Sequence, residues 1–467
     1  MRGRLSFPSA LALPALLLIA APLYAPTLSY GFAYDDLWQV PLSTWERVLA
    51  EFQPGFHASP DAFRFRPVFI LVTGLERAAW GLHPLGFHLV NLGLHLVNVA
   101  LVFRLSQIIS KRIGLAFGAG LIWNVLPGTA YSVAWIAQLN DLLCAFFILL
   151  STWTLIQGMR QRAVLWSILS ALSYGLGLLS KEMAVPLIVV LGVGLVWLRR
   201  GKSLGKAWGR LVPHALVLTA YFGTRTWLTG FLLPPPVESA ASAYGGSPWS
   251  HLAVTGFHYV ESLVQLIIPI YELPSWGSAA LFVLLTALLG GMWLPLALRL
   301  WRAGGNGAGR LYRLGLVWCL SFLVLAALAW GHPRHLYVPG IGFAALASAL
   351  LGKALEQPLS VRRRVAMQLA VAGLAALNLA MTLGVQALFA PASPKVLDYA
   401  ACYASTPLDR TLQPYAQAQV AQYAPATRCV VGTDAYWEGL TLNGLFEAKR
   451  QGLRPLVAQW LRALFGP

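Results

Sequence analysis

The sequence predicts an all-α polytopic membrane protein, a bundle of about eleven transmembrane helices followed by a small helical tail. Three observations predict it. Only 11% of the 467 residues are charged and 57% are hydrophobic, against about 25% charged in a soluble domain. Apolar runs of about 20 residues recur along the chain, each long enough to cross a bilayer. Basic residues gather in the short breaks between those runs. With so little charge and a mean hydropathy of +0.63, polar groups cannot cover a globular surface, so lipid replaces water over most of it.

The net charge of +17 raises nucleic acid as a partner, and its distribution excludes that reading. The basic residues fall at Arg2 and Arg4, Lys111 and Arg112, Arg160 and Arg162, Arg199 to Arg210, Arg299 to Arg313, and Lys353 with Arg362 to Arg364. Read as cytoplasmic loops, they obey the positive-inside rule. Only one acidic residue, Glu356, falls on that side.

The runs lie near 8–30, 84–109, 113–129, 139–158, 163–180, 183–198, 211–230, 277–298, 314–331, 338–355 and 365–390. An odd number of spans places the N-terminus in the cytoplasm and the C-terminus outside. The first run reads as an uncleaved helix, because Pro26 follows the Ala25 position where a signal peptide would be cut. Localisation is then integral to a membrane, with the inner (plasma) membrane of a bacterium expected. Residues 1–390 form the membrane domain and 391–467 a small extracytoplasmic helical domain.

Two extracytoplasmic loops interrupt the pattern. Residues 31–83 contain Ser43-Thr-Trp-Glu-Arg-Val-Leu, the pattern of a capped amphipathic surface helix. Residues 231–276 open on Pro234-Pro-Pro236 and carry an apolar stretch at 251–270. That stretch reads as a re-entrant or surface helix, since a full span would move the arginines at 299–313 outside. Cys144 and Cys319 lie within spans as packing residues. Cys402 and Cys429 share the outside tail and form a candidate disulfide.

Ionisable groups in or beside a span are costly and therefore functional candidates. Four constellations qualify. Tyr34-Asp35-Asp36 follows the first span; adjacent carboxylates can deprotonate an acceptor, bind a divalent metal or cap a helix. His88, Asn91, His95 and Asn98 recur at three, four and three residues, forming one helical stripe. The two histidines are two turns apart, about 10.5 Å, and make no metal site by themselves. Interhelical hydrogen bonding is the structural reading of Asn91 to Asn98. Ser180-Lys181-Glu182 and His332-Pro-Arg334-His335-Leu-Tyr337 stand between spans. They offer cations for a phosphate, or ordinary interfacial anchors. Asp141 and Glu261 are secondary candidates, with helix capping and a buried hydrogen bond as their structural readings. The topology gathers Asp35, Asp36, Arg64, Arg66, Lys181, Glu182, Arg334 and Tyr337 on one outer side, which suits transfer from an anionic lipid carrier.

In that order the motifs resemble a known family. The aspartate pair after the first helix resembles that of the GT-C glycosyltransferases. Arg66-Pro67, Phe87-His88-Leu-Val-Asn91 with His95, Leu126-Pro127, Val133-Ala-Trp135-Ile136, Asn140-Asp141, Ser180-Lys-Glu182 and Arg334-His335-Leu-Tyr337-Val-Pro-Gly-Ile-Gly342 resemble the protein O-mannosyltransferase-like branch. The resemblance covers roughly residues 30–345. It implies a GT-C bundle, a polyprenyl-phosphate-linked sugar donor, and a protein, lipid or glycan acceptor. It also implies inverting transfer with Asp35 or Asp36 as general base. Lys181, Arg334, Arg66 and Tyr337 are then expected at the donor phosphate, with Glu182, His88, Asn91, His95, Asp141 and His335 supporting the pocket. Membrane lipids are the other expected partner, and a divalent metal at Asp35 and Asp36 is the one cofactor considered. The chain departs from the family pattern at Gln138-Leu-Asn140, where an arginine is common, and its tail shows no recognisable repeat. Two other classes stand beside the transferase: a transporter or flippase of a lipid-linked or anionic substrate, and a non-catalytic scaffold acting through the tail.

Overall fold

The computed structural model of the protein describes residues 10–54, 56, 65–159, 163–199, 208–230, 306–328, 333–357, 361–391 and 413–423, with scattered residues between 255 and 302 and between 396 and 403. Among these the regular elements are helices. Six are long and apolar enough to cross a membrane, or seven if one bent pair counts as a span. They comprise α1 (Ala12–Tyr24) continued by a 3₁₀ turn, α5 (Pro84–Ser110), α8 (Leu139–Gly158), α12 (Gly307–Leu328), α13 (Tyr337–Leu355) and α14 (Val361–Leu388). The helices expected at 163–180, 183–198 and 211–230 are present as α9 (Ala163–Ser180), α10 (Leu187–Arg199) and α11 (Val212–Thr229), shorter or more polar than the six. The expected span at 277–298 lies mostly outside the described residues, as do the stretch at 251–270 and both Cys402 and Cys429. The bundle is thus an integral, all-helical membrane fold, and a count of eleven is not reached among the described residues.

Two differences from expectation have local causes. The run expected as one span at 113–129 is broken into α6 (Ile113–Asn124) and α7 (Pro127–Ala134), bent by 64°. Pro127 lacks an N–H and disfavours helical geometry at Leu126, so the helix ends and restarts there. The segment 31–83 holds more than surface helices. Beside α2 (Asp36–Leu42) and α3 (Trp45–Ala50), it contains α4 (Pro67–Trp80), fourteen residues long. At about 1.5 Å per residue α4 reaches about 21 Å, short of a bilayer core of about 30 Å. Its Phe69 packs into the bundle against Leu139 and Leu143. Helix α3 is capped by Thr44, whose Oγ1 accepts from the Arg47 N–H at 3.2 Å.

Lipid tails are as apolar as leucine, so contact between membrane helices depends on close backbone approach. The pair α12 and α13 achieves it through two glycines. A Cβ on Gly342 would lie 2.5 Å from both Cys319 N and Gly315 O, and one on Gly315 would lie 2.7 Å from Gly342 O. At the opposite end of the bundle from the aspartate loop, Arg112 and Lys353 both pair with Glu356, and Arg310 Nε donates to Ile109 O at 3.2 Å. The acidic residue among the basic breaks is therefore held by two of the cations around it.

Gly342→Ala is expected to lower the thermal unfolding midpoint in detergent, a loss of about 1–3 kcal/mol. Gly93→Ala, which meets no described atom within 4 Å, serves as the neutral control. Equal midpoints for the two variants would show that α12 and α13 do not rely on this contact.

Candidate active site

The site begins with irregular backbone. The chain between α6 and α8 bends at Pro127, passes through α7 and a 3₁₀ turn at Ile136–Gln138, and re-enters helix at Leu139. Each departure from helix strands backbone donors or acceptors, which lipid cannot satisfy. Side chains from other elements satisfy them. Tyr24 on α1 donates to Asn124 O at 2.6 Å, Thr382 on α14 to Val125 O at 2.8 Å, and Asn91 on α5 to Trp135 O at 3.1 Å. Asp36 accepts from the Ala137 N–H at 2.7 Å.

The polar stripe of α5 is therefore a bolt between helices. Asn98 Nδ2 donates to Leu142 O at 3.0 Å. His95 Nδ1 is 2.9 Å from the Tyr337 hydroxyl, and its Nε2 is 2.8 Å from Asn124 Oδ1. Tyr337 also accepts from Asn98 at 3.3 Å, and Trp123 Nε1 donates to Tyr337 O at 3.0 Å. All are buried. The structure thus places Tyr337, expected at the donor phosphate, inside this network. His88 lies apart, with Nε2 at 3.4 Å from Gly31 O, beside the aspartate loop.

That loop separates the two aspartates. Tyr34 adopts φ of +52°, a left-handed conformation costing about 1–3 kcal/mol in a non-glycine residue. Its side chain holds it there: the hydroxyl donates to Leu388 O at 3.1 Å, and the ring meets Trp135 and Phe389 edge-on at 5.7 and 5.6 Å. Asp36 then turns inward, 1% exposed. Its Oδ2 accepts from the Ala33 N–H at 2.9 Å while Oδ1 takes Ala137. Burial pushes its carboxyl well above the ordinary carboxylate range, against the pull of the two amide donors. Asp35, at the start of α2, is only partly buried, with Oδ2 at 3.4 Å from Gln39 Nε2.

The cationic candidates form ion pairs. Lys181 Nζ lies 2.6 Å from Asp141 Oδ2, both side chains almost fully buried. Arg66 presents a two-point fork to Glu182, with Nε at 3.0 Å from Oε2. Arg334 is partly buried, its Nε 3.2 Å from His335 Nε2 and its guanidinium 5.8 Å from the Trp135 ring centre. Asp141 feels the fields of Lys181, Arg66 and Arg334 together. Sequence reasoning missed Arg225 on α11, 6% exposed. One turn earlier Tyr221 meets Phe65, the neighbour of Arg66, at 6.3 Å between rings. A lone arginine in the run Tyr221-Phe-Gly-Thr-Arg225-Thr-Trp was the signal available.

The described helices form a polytopic membrane scaffold. It is shared with the Archaeoglobus fulgidus oligosaccharyltransferase, solved with a tethered acceptor peptide: the TM-score is 0.50 at 13% identity, covering 92% of this chain and 63% of that one. By sequence part of the chain is similar to proteins named protein O-mannosyl-transferases. It is 30% identical to Tmtc1 of Drosophila melanogaster over 195 residues, 38% of this chain and 21% of that protein. It is also 30% identical to TMTC2 of Homo sapiens over 190 residues, 37% of this chain and 22% of that one. The chain spans about a fifth of the length of these curated relatives. No family model matches it. The transporter reading gains no support from relatives named as transferases.

Lys181→Met is expected to destabilise the protein by about 3–5 kcal/mol, because Asp141 would keep a buried unpaired charge. Adding Asp141→Leu should recover most of that loss. Thermal unfolding of the two single variants and the double variant measures the coupling, and additive losses would show that the two groups do not form a pair.

Proposed function

We propose that this chain is a membrane glycosyltransferase. It moves a monosaccharide from a polyprenyl-phosphate carrier to a hydroxyl on the extracytoplasmic side, with a protein as the first acceptor class to examine. The observation that carries the reading is the division of labour within the aspartate pair. Asp36 is consumed in holding backbone, whereas Asp35 stands at the same turn with a partly exposed carboxylate.

In this mechanism Asp35 takes the proton of the acceptor hydroxyl. The acceptor oxygen bonds to the anomeric carbon as the bond to the phosphate oxygen breaks, and the phosphate leaves with the electron pair. One displacement inverts the anomeric centre. Arg66, Lys181 and Arg334 carry three positive charges, and Asp141 and Glu182 carry two negative ones, leaving one positive charge among these five groups. Arg225 raises the net to two. That excess favours the phosphate on which charge develops. The paired carboxylates fix the cations in place while the positive excess remains for the leaving group.

A divalent cation takes six or more oxygens. Asp36 has both oxygens engaged by amide donors, and no group of three or more His, Cys, Asp or Glu stands together among the described residues. A divalent cation at the pair would rest on the Asp35 carboxylate, with water and donor phosphate oxygens completing its shell. The acceptor class follows the relatives, which are named protein O-mannosyl-transferases, and the oligosaccharyltransferase solved with an acceptor peptide.

The test is sugar release from a panel of polyprenyl-phosphate monosaccharides by the purified protein with a supplied acceptor extract. Asp35→Asn should lower donor consumption by about 10²-fold or more with an unchanged unfolding midpoint. Asp36→Asn should lower both consumption and midpoint, since an amide N–H₂ would then face a backbone N–H. Equal consumption in wild type and Asp35→Asn would remove Asp35 as the base.

A further inference from the structure

The tail reaches back to the aspartate loop. Helix α15 (Gln413–Tyr423) buries Ala416 and Gln419, and Gln419 Nε2 donates to Pro391 O at 3.2 Å. Its Tyr415 lies against the loop that ends in Asp35 and Asp36. The Phe32 N–H donates to the Tyr415 hydroxyl at 3.0 Å. The Phe32 and Tyr415 rings meet at 5.3 Å, and Phe32 in turn packs edge-on to Phe87 at 5.6 Å. Gly31 leaves the space that Tyr415 fills, since a Cβ there would stand 1.9 Å from the hydroxyl oxygen.

The hydrogen bonds of the loop alternate between near and far. The N–H of Phe32 goes to the tail, and the N–H of the next residue, Ala33, goes to Asp36. Two consecutive amides immediately before the strained turn at Tyr34 are thus fixed by acceptors from different parts of the chain. Loss of the tail contact frees the Phe32 amide, while Asp36, Tyr34 and the neighbouring helices still hold the rest of the loop.

We propose that Tyr415 is a positioning residue for the aspartate loop, making helix α15 a structural part of the active site. The ring fills the space over Gly31, the hydroxyl fixes the amide of Phe32, and Asp35 is held where its carboxylate meets the acceptor. The kinetic consequence rests on the transferase reading; the structural one does not.

The experiment compares the full-length wild type with Tyr415→Phe, Gly31→Ala and the double variant. The first readout is hydrogen–deuterium exchange of the peptide containing residues 30–37, which needs no activity. Exchange at the Phe32 amide should quicken by about tenfold or more in Tyr415→Phe, as expected for an amide released from its acceptor. The second readout is the kinetics of donor consumption. Tyr415→Phe should lower kcat by about tenfold, a loss of the size that small misplacements produce, with donor KM and the unfolding midpoint unchanged. Gly31→Ala should disturb both readouts more strongly, and removal of the hydroxyl in the double variant should restore part of the loss. Unchanged exchange at residues 30–37 in Tyr415→Phe would overturn the proposal. So would quickened exchange with an unchanged kcat. If the wild type consumes no donor, the transferase reading fails, and the exchange data alone then decide whether the contact holds the loop.

Discussion

Broken helices inside a lipid-facing bundle leave backbone groups that no water can reach. The region from Asn124 to Ala137 concentrates that difficulty, because the chain bends at Pro127 and unwinds before α8. Its stranded carbonyls and amides are satisfied by Tyr24, Asn91, Thr382 and Asp36, drawn from four separate parts of the chain. An unpaired buried group costs about 1–3 kcal/mol, so these bonds fix where α1, α5, α14 and the aspartate loop meet. The site is assembled around an irregular segment that the surrounding helices complete.

This explains why polar side chains that attract attention in the sequence divide into two kinds. Asn91, His95, Asn98 and Tyr337 spend their hydrogen-bonding capacity on the protein itself. In the proposed mechanism Asp35, Arg334 and the ion pairs of Lys181 and Arg66 are the groups left to meet a charged substrate. Pairing Lys181 and Arg66 with carboxylates limits the desolvation that isolated charges would incur. It also keeps the local excess of positive charge small.

Much of the fold was legible because lipid imposes long apolar runs with basic breaks. The helices at 84–110, 139–158 and 337–355 lie close to where hydropathy put them. The spacing of His88, Asn91, His95 and Asn98 announced one buried face. The break at Pro127 was written in the chain yet hidden within an apolar run. Helix α4 was hidden because it is too short for a span and lies in a loop read as external. That Asp35 and Asp36 would differ was legible, since neighbouring side chains point apart, but the surroundings that turn Asp36 inward were not. They depend on the amide of Ala137, a hundred residues away and stranded only by the fold. Arg225 escaped notice for a related reason: its place beside the Arg66 region comes from the packing of α11, with no motif around it.

The contact between Phe32 and Tyr415 joins residues 383 positions apart. A chain synthesised at about 5–20 residues per second therefore makes the aspartate loop about 20–80 s before Tyr415, the acceptor of the Phe32 amide, exists. Through that interval the loop is held by Asp36 and by the helices already inserted. The timing gives the chain an order of maturation in which the helices of the bundle are made first and the aspartate turn gains its Tyr415 contact only after them.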